Sequence, residues 1–124
     1  MIYSGVIYHL PDPMGSLVKV RNVAKDLVIV ETDSFLNHLN QPVATFRGEP
    51  EGLISDAPNW WVPNELCLHR MLQVAGFQRS ETKYHQFWSN MPIWRTTLKK
   101  AAFTYLPRLF PPPLHSRLIV HAWV

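Results

Sequence analysis

"YSGVIYHLPDP", residues 3–13, decides the fold. Its first residues are the polar end of an apolar stretch that starts at Met1. Gly5 opens a loop holding the pair Tyr8-His9, and Asp12-Pro13 marks a helix start. Asp is a favoured N-cap, and Pro suits the first helical position because its missing N–H would have no partner there. Met14, Leu17, Val18, Arg21 and Ala24 follow at helical spacing, which predicts a helix to about Ala24. "LVIVE", residues 27–31, is a continuous apolar run of strand length, the pattern of a strand covered on both faces. Strand, helix and strand in so short a span make a βαβ unit, hence a parallel pair. Ser4, Gly5, Tyr8 and His9 then lie at the carboxyl end of one strand, with Glu31, Thr32 and Asp33 at that of the next. Open parallel sheets bind their ligands at that edge.

Outward from this unit the signals thin. Residues 33–62 carry Asn, Pro, Gly and Asp without periodicity and read as a long loop, a length common in binding segments. Pro63-Asn64 starts a second helix with Leu66, Met71, Leu72 and Ala75 on one face, closed by Gly76 with Phe77 as its apolar contact. "FQRSETKYHQFW" reads as a strand with a polar face, residues 93–106 as an amphipathic helix, and "RLIVHAWV" as a buried last strand.

Composition sets the outer bounds. With 124 residues, 47% of them apolar, the chain suits one domain, residues 1–124, with a modest core. Its single cysteine, Cys67, excludes an internal disulfide, and with no spanning run or signal pattern the expected location is cytoplasmic. All nine acids fall within residues 1–81. Lys83, Arg95, Lys99, Lys100, Arg108 and Arg117 follow with no acid among them. That imbalance allows an anionic partner such as RNA or lipid headgroups, or else a plain solvated face. Cys67-x-His69 lacks further metal-ligand spacing, so no metal site is expected, and there is no G-x-S-x-G, Walker or G-x-G-x-x-G loop.

Read as chemistry, Tyr8 is placed to wall a pocket, while His9 taken alone reads better as holding its own turn. Trp60 and Trp61 precede a helix start; paired aromatics there suit stacking on a ring, although hydrophobic stapling of the helix accounts for Trp61 as well.

Taken together, "GVIYHLPDP", "LVIVET" and "WVPNELCLHRMLQVAGF" (residues 61–77) resemble the C-terminal half of class I S-adenosylmethionine-dependent methyltransferases. The likeness is nearest to the branch of the tRNA wobble-uridine carboxymethyltransferases. It implies an α/β fold, a partial Rossmann-like sheet of strands four to seven, whose last strand, about 116–123, inserts antiparallel between the fifth and sixth. It also implies that the glycine-rich loop and three strand–helix units precede residue 1 in a longer chain, roughly a hundred residues at about 30 per unit. By resemblance Gly5, Val6 and Tyr8 bind S-adenosylmethionine. Tyr8, His9 and Glu31 are then the catalytic candidates, and Trp60, Trp61 and Asn64 face the acceptor. Beyond Phe77 the arginine-rich segment of the carboxymethylating tRNA enzymes is missing. Plain methyl transfer to a small molecule or saccharide is therefore expected beside RNA, with the chain inactive apart from its other half. The alternative is a non-catalytic half-domain acting in binding or association.

Overall fold

The computed structural model describes residues 1–47, 59–87 and 115–124. The elements run β1 (Ile2–Ser4), a 3₁₀ turn (Ile7–His9), α1 (Pro13–Val23), β2 (Leu27–Phe35), β3 (Ala44–Phe46), β4 (Trp61–Pro63), α2 (Glu65–Val74), β5 (Arg79–Phe87) and β6 (His115–Trp123). Four strands form one sheet in the order β1-β2-β6-β5, and β3 pairs with β4 as a separate ribbon. β1 and β2 are parallel, whereas β6 runs antiparallel to both of its neighbours. The antiparallel insertion expected of the last strand is present.

Both helices begin as the sequence implies. Asp12 accepts from the Gly15 amide at 2.8 Å ahead of Pro13, and Asn64 accepts from the Cys67 amide at 2.8 Å. α2 ends with Gly76 at φ 98°, a conformation a side chain resists. This lets the Gly76 amide reach Gln73 O at 3.1 Å and the Phe77 amide reach Leu72 O at 3.1 Å.

The core lies on one face of the sheet. Val28 and Val30 of β2, with Leu118, Val120 and Ala122 of β6, pack against Leu17 and Val20 of α1 and Leu68 and Leu72 of α2. Arg21 bridges the helices by donating from Nε to Gly76 O at 3.0 Å. The alternate residues Leu27, Ile29, Ile119, His121 and Trp123 are half-buried, so among the described residues β2 is covered on one face only.

Two further expectations change. β2 continues four residues past Glu31, because β6 pairs with it as far as Phe35↔His115. Inside the stretch read as a loop, the three-residue strands β3 and β4 pair as Ala44↔Pro63 to Phe46↔Trp61, too short for any periodicity to show. The helix expected over 93–106 lies outside the described residues. Among those described, no helix is long and apolar enough to cross a membrane.

Candidate active site

The parallel register sets Ser4 beside Glu31 at the carboxyl edge. Gly5 follows at φ 67°, where L side chains are strained, and its amide donates to Glu31 O at 3.1 Å. A Cβ at Gly5 would stand 3.6 Å from Tyr8 Oη and 3.9 Å from Glu31 Oε2, within the space those two groups share. The 3₁₀ turn then folds Tyr8 back into the protein, 6% exposed, with the His9 ring 4.2 Å away between centroids.

β6 supplies the group that organises this edge. Asp33 and Arg117 are register partners, and Arg117 Nε donates to Asp33 Oδ1 at 3.1 Å. Its Nη2 donates to Tyr8 Oη at 3.3 Å, and its Nη1 lies 3.1 Å from Glu31 Oε1. That last contact is an ion pair without hydrogen-bond geometry, since Glu31 Oε1 is buried with no hydrogen-bond partner among the described residues. Oε2 of the same carboxylate accepts from Ser4 Oγ at 2.7 Å, which fixes the group's orientation. The Arg117 charge offsets the cost of burying this oxygen, which is matched electrostatically and not by a hydrogen bond.

The electrostatics follow from the packing. Burial, reinforced by Asp33 and Glu31 and opposed by Arg117, raises the Tyr8 pKa above that of a free phenol, so Tyr8 is neutral at neutral pH. Burial works against the Arg117 charge. The bond to Asp33 and the fields of Glu31, Tyr8 and Asp33 outweigh it and raise the pKa. The edge thus holds two carboxylates, one guanidinium and a phenol that is a donor rather than a base.

Of the expected site residues, Gly5, Tyr8, His9 and Glu31 come together here. Trp60 is tied to them through its backbone, its amide donating to Tyr8 O at 2.7 Å. Trp61 is half-buried; its Nε1 donates to Pro11 O at 3.2 Å and its ring stacks 4.7 Å from Phe46. Asn64, expected at the acceptor, is instead 1% exposed. Its Oδ1 accepts from the amides of Cys67 and Val43, and its Nδ2 donates to Gln41 O at 2.8 Å, joining α2 to the loop after β2. Val6 is 37% exposed on the loop. Asp33 and Arg117 were not among the expected site residues. Aligning the apolar runs of β2 and β6 antiparallel would have paired them.

No protein-family model matches the chain, and no curated protein matches it. Solved structures do. The N-terminal domain of EvdMO1 in the presence of SAH and D-fucose superposes with a TM-score of 0.58 at 14% identity, covering 99% of this chain and 46% of that one. The same domain with SAH bound gives 0.56 at 15% identity, covering 99% and 44%. The chain therefore spans less than half the length of these structures. At such identities the likeness is one of fold alone.

Proposed function

We propose that this chain is the acceptor-side half of a methyltransferase that moves a methyl group from S-adenosylmethionine to a hydroxyl of a neutral saccharide. The observation that carries the reading is Glu31 Oε1, a buried carboxylate oxygen without a hydrogen bond among the described residues, beside the Tyr8 phenol at the carboxyl edge of the sheet. The fold's solved neighbours were crystallised with SAH, and one with D-fucose, which supports both the cofactor and a sugar acceptor.

The residues present suit the cofactor's methionine end. Gly5 keeps open the space between Tyr8 and Glu31 that a Cβ would enter, and exposed Val6 offers an apolar wall. When bound, S-adenosylmethionine supplies a methyl on a sulfonium, electrophilic enough to need little more than in-line positioning. Tyr8, protonated and anchored by Arg117, would present its ring to that cationic centre. Glu31 would accept the acceptor hydroxyl's proton, with Arg117 holding the carboxylate in place. His9 backs Tyr8 and remains the second candidate base.

The local charge bears on the acceptor. Of the basic C-terminal third, Arg117 is paired with Glu31 and Asp33. With two carboxylates to one cation among the described residues, the site would repel a phosphate backbone and suit uncharged hydroxyls, which favours a saccharide over RNA. The likeness to the wobble-uridine branch rests on the quoted sequence motifs. The remaining half of the domain would pair with β1, whose Met1 and Ile2 are 53% and 75% exposed.

The test is methyl transfer by the native-length protein, whose intact mass should exceed that of 124 residues. With neutral monosaccharides and labelled cofactor, Glu31→Gln should lower kcat about 10²–10⁴-fold while leaving cofactor affinity unchanged. Transfer that survives this substitution would remove Glu31 as the base. A preference for RNA over sugars would overturn the acceptor.

A further inference from the structure

Beneath α2, away from the methyl-transfer edge, a chain of hydrogen bonds has one consistent direction. Thr82 Oγ1 donates to Glu65 Oε1 at 2.6 Å. Its single proton is thereby committed, so toward His69 Nε2, 2.9 Å away, the same oxygen is the acceptor. Neutral His69 then carries its proton on Nε2 and leaves Nδ1 as a bare acceptor. Ser80 Oγ, 2.6 Å from Nδ1, must be the donor. Every bond points from Ser80 through His69 and Thr82 to Glu65.

This is the order of roles that activates a hydroxyl nucleophile: a hydroxyl on a base, the base oriented by a third group, and a carboxylate at the end. The serine end also opens outward. Ser80 and His69 line a cavity of about 470 Å³ with Leu66, Arg70, Gln73 and Phe77, and the His69 side chain is 27% exposed. The register Ser80↔Ala122↔Val28 places this cavity five residues from Asp33 along the sheet, ~17 Å at ordinary strand rise. It is a separate site.

We propose that Ser80 is an acyl-accepting nucleophile with His69 as its base, taking acyl groups from small neutral esters. In the step, Ser80 Oγ attacks the ester carbonyl as its proton passes to His69 Nδ1. The carbonyl–alkoxide bond breaks, the alkoxide leaves with that proton, and an ester is left on Ser80. Leu66 and Phe77 would take the acyl chain, and Arg70 and Arg79 are the wall's cations.

A fluorophosphonate probes this chemistry directly, because the same attack forms a P–O bond and expels fluoride. On the full chain, labelling should map by peptide mass spectrometry to Ser80. It should vanish in Ser80→Ala and His69→Gln and fall about tenfold in Thr82→Val, with circular dichroism and thermal melting reporting whether each variant is folded. Folded wild-type protein that stays unlabelled would overturn the proposal. So would Ser80 labelling at the same rate in folded His69→Gln or in the urea-unfolded chain, since either means the serine reacts without its base.

Discussion

At the carboxyl edge, Glu31 and Asp33 meet Arg117 as ions; under α2, hydrogen bonds run from Ser80 through His69 and Thr82 to Glu65. The first cluster balances charge and leaves one oxygen, Glu31 Oε1, without a hydrogen bond. The second leaves each of its bonding atoms with a partner. An ion cluster that is satisfied electrostatically and not directionally is prepared for a ligand that brings a donor. A chain of neutral bonds has no such vacancy, and its reactivity lies in the direction of its protons instead. The two therefore respond to different perturbations.

Removing the cation should produce the larger effect. Arg117→Met leaves two carboxylates at alternate positions on one strand face, with side chains only 15% and 12% exposed, and no guanidinium between them. Losing one partner of a buried pair costs roughly 3–5 kcal/mol. Arg117 is itself 38% exposed, so screening should reduce this to about 2 kcal/mol of unfolding free energy in urea titrations. Lowering the pH should partly restore the variant, because protonated carboxyls no longer repel. A variant equally destabilised at acid pH would mean that Arg117 contributes by packing and that the cluster is not an electrostatic unit.

Breaking the neutral chain should cost less. Thr82→Val keeps the shape but leaves the His69 Nε2 proton and Glu65 Oε1 to find water. Both groups are a quarter to a third exposed, so the expected loss is about 1 kcal/mol, insensitive to added salt. Salt dependence comparable to that of Arg117→Met would erase the distinction between the clusters.

How far each cluster was legible depends on the distance over which its parts are related. Caps are local, so Asp12 and Asn64 were readable at their helices, and Gly76 at the end of α2. The quoted loop fixed Tyr8 and Glu31 as neighbours because a parallel register between short strands leaves little freedom. Arg117 and Asp33 are 84 residues apart, and only the strand register joins them. Asn64 is ambiguous for the opposite reason: an acceptor-binding residue and a buried cap carry the same sequence signal, and the structure shows the cap. For the relay, Glu65 and His69 at i,i+4 and Ser80 and Thr82 at alternate strand positions were each visible as patterns. Which face of α2 meets which face of β5 is a matter of packing, and no residue in either element announces it.

The smallest effect joins the two regions. His85 Nε2 shares a hydrogen bond with Ser116 Oγ at 2.8 Å, next to Arg117 in sequence, and its Nδ1 lies 3.8 Å from Glu65 Oε2. Burial lowers its pKa below the ordinary 6.5, and the opposing pull of Glu65 does not cancel this. The unfolded chain therefore takes up that proton first as the pH falls. Stability from neutral His85 is complete above the unfolded value and is lost as the pH drops through the folded one. Between about pH 7.5 and 5.5 the melting temperature should fall, and the fall should be shallower in His85→Gln, which retains an amide for Ser116. Other histidines contribute to the absolute slope, so the difference between the two proteins is the measurement. A steeper slope in the variant would mean that Glu65 holds His85 charged, making the carboxylate at the end of the relay part of an ion pair, as Glu31 is.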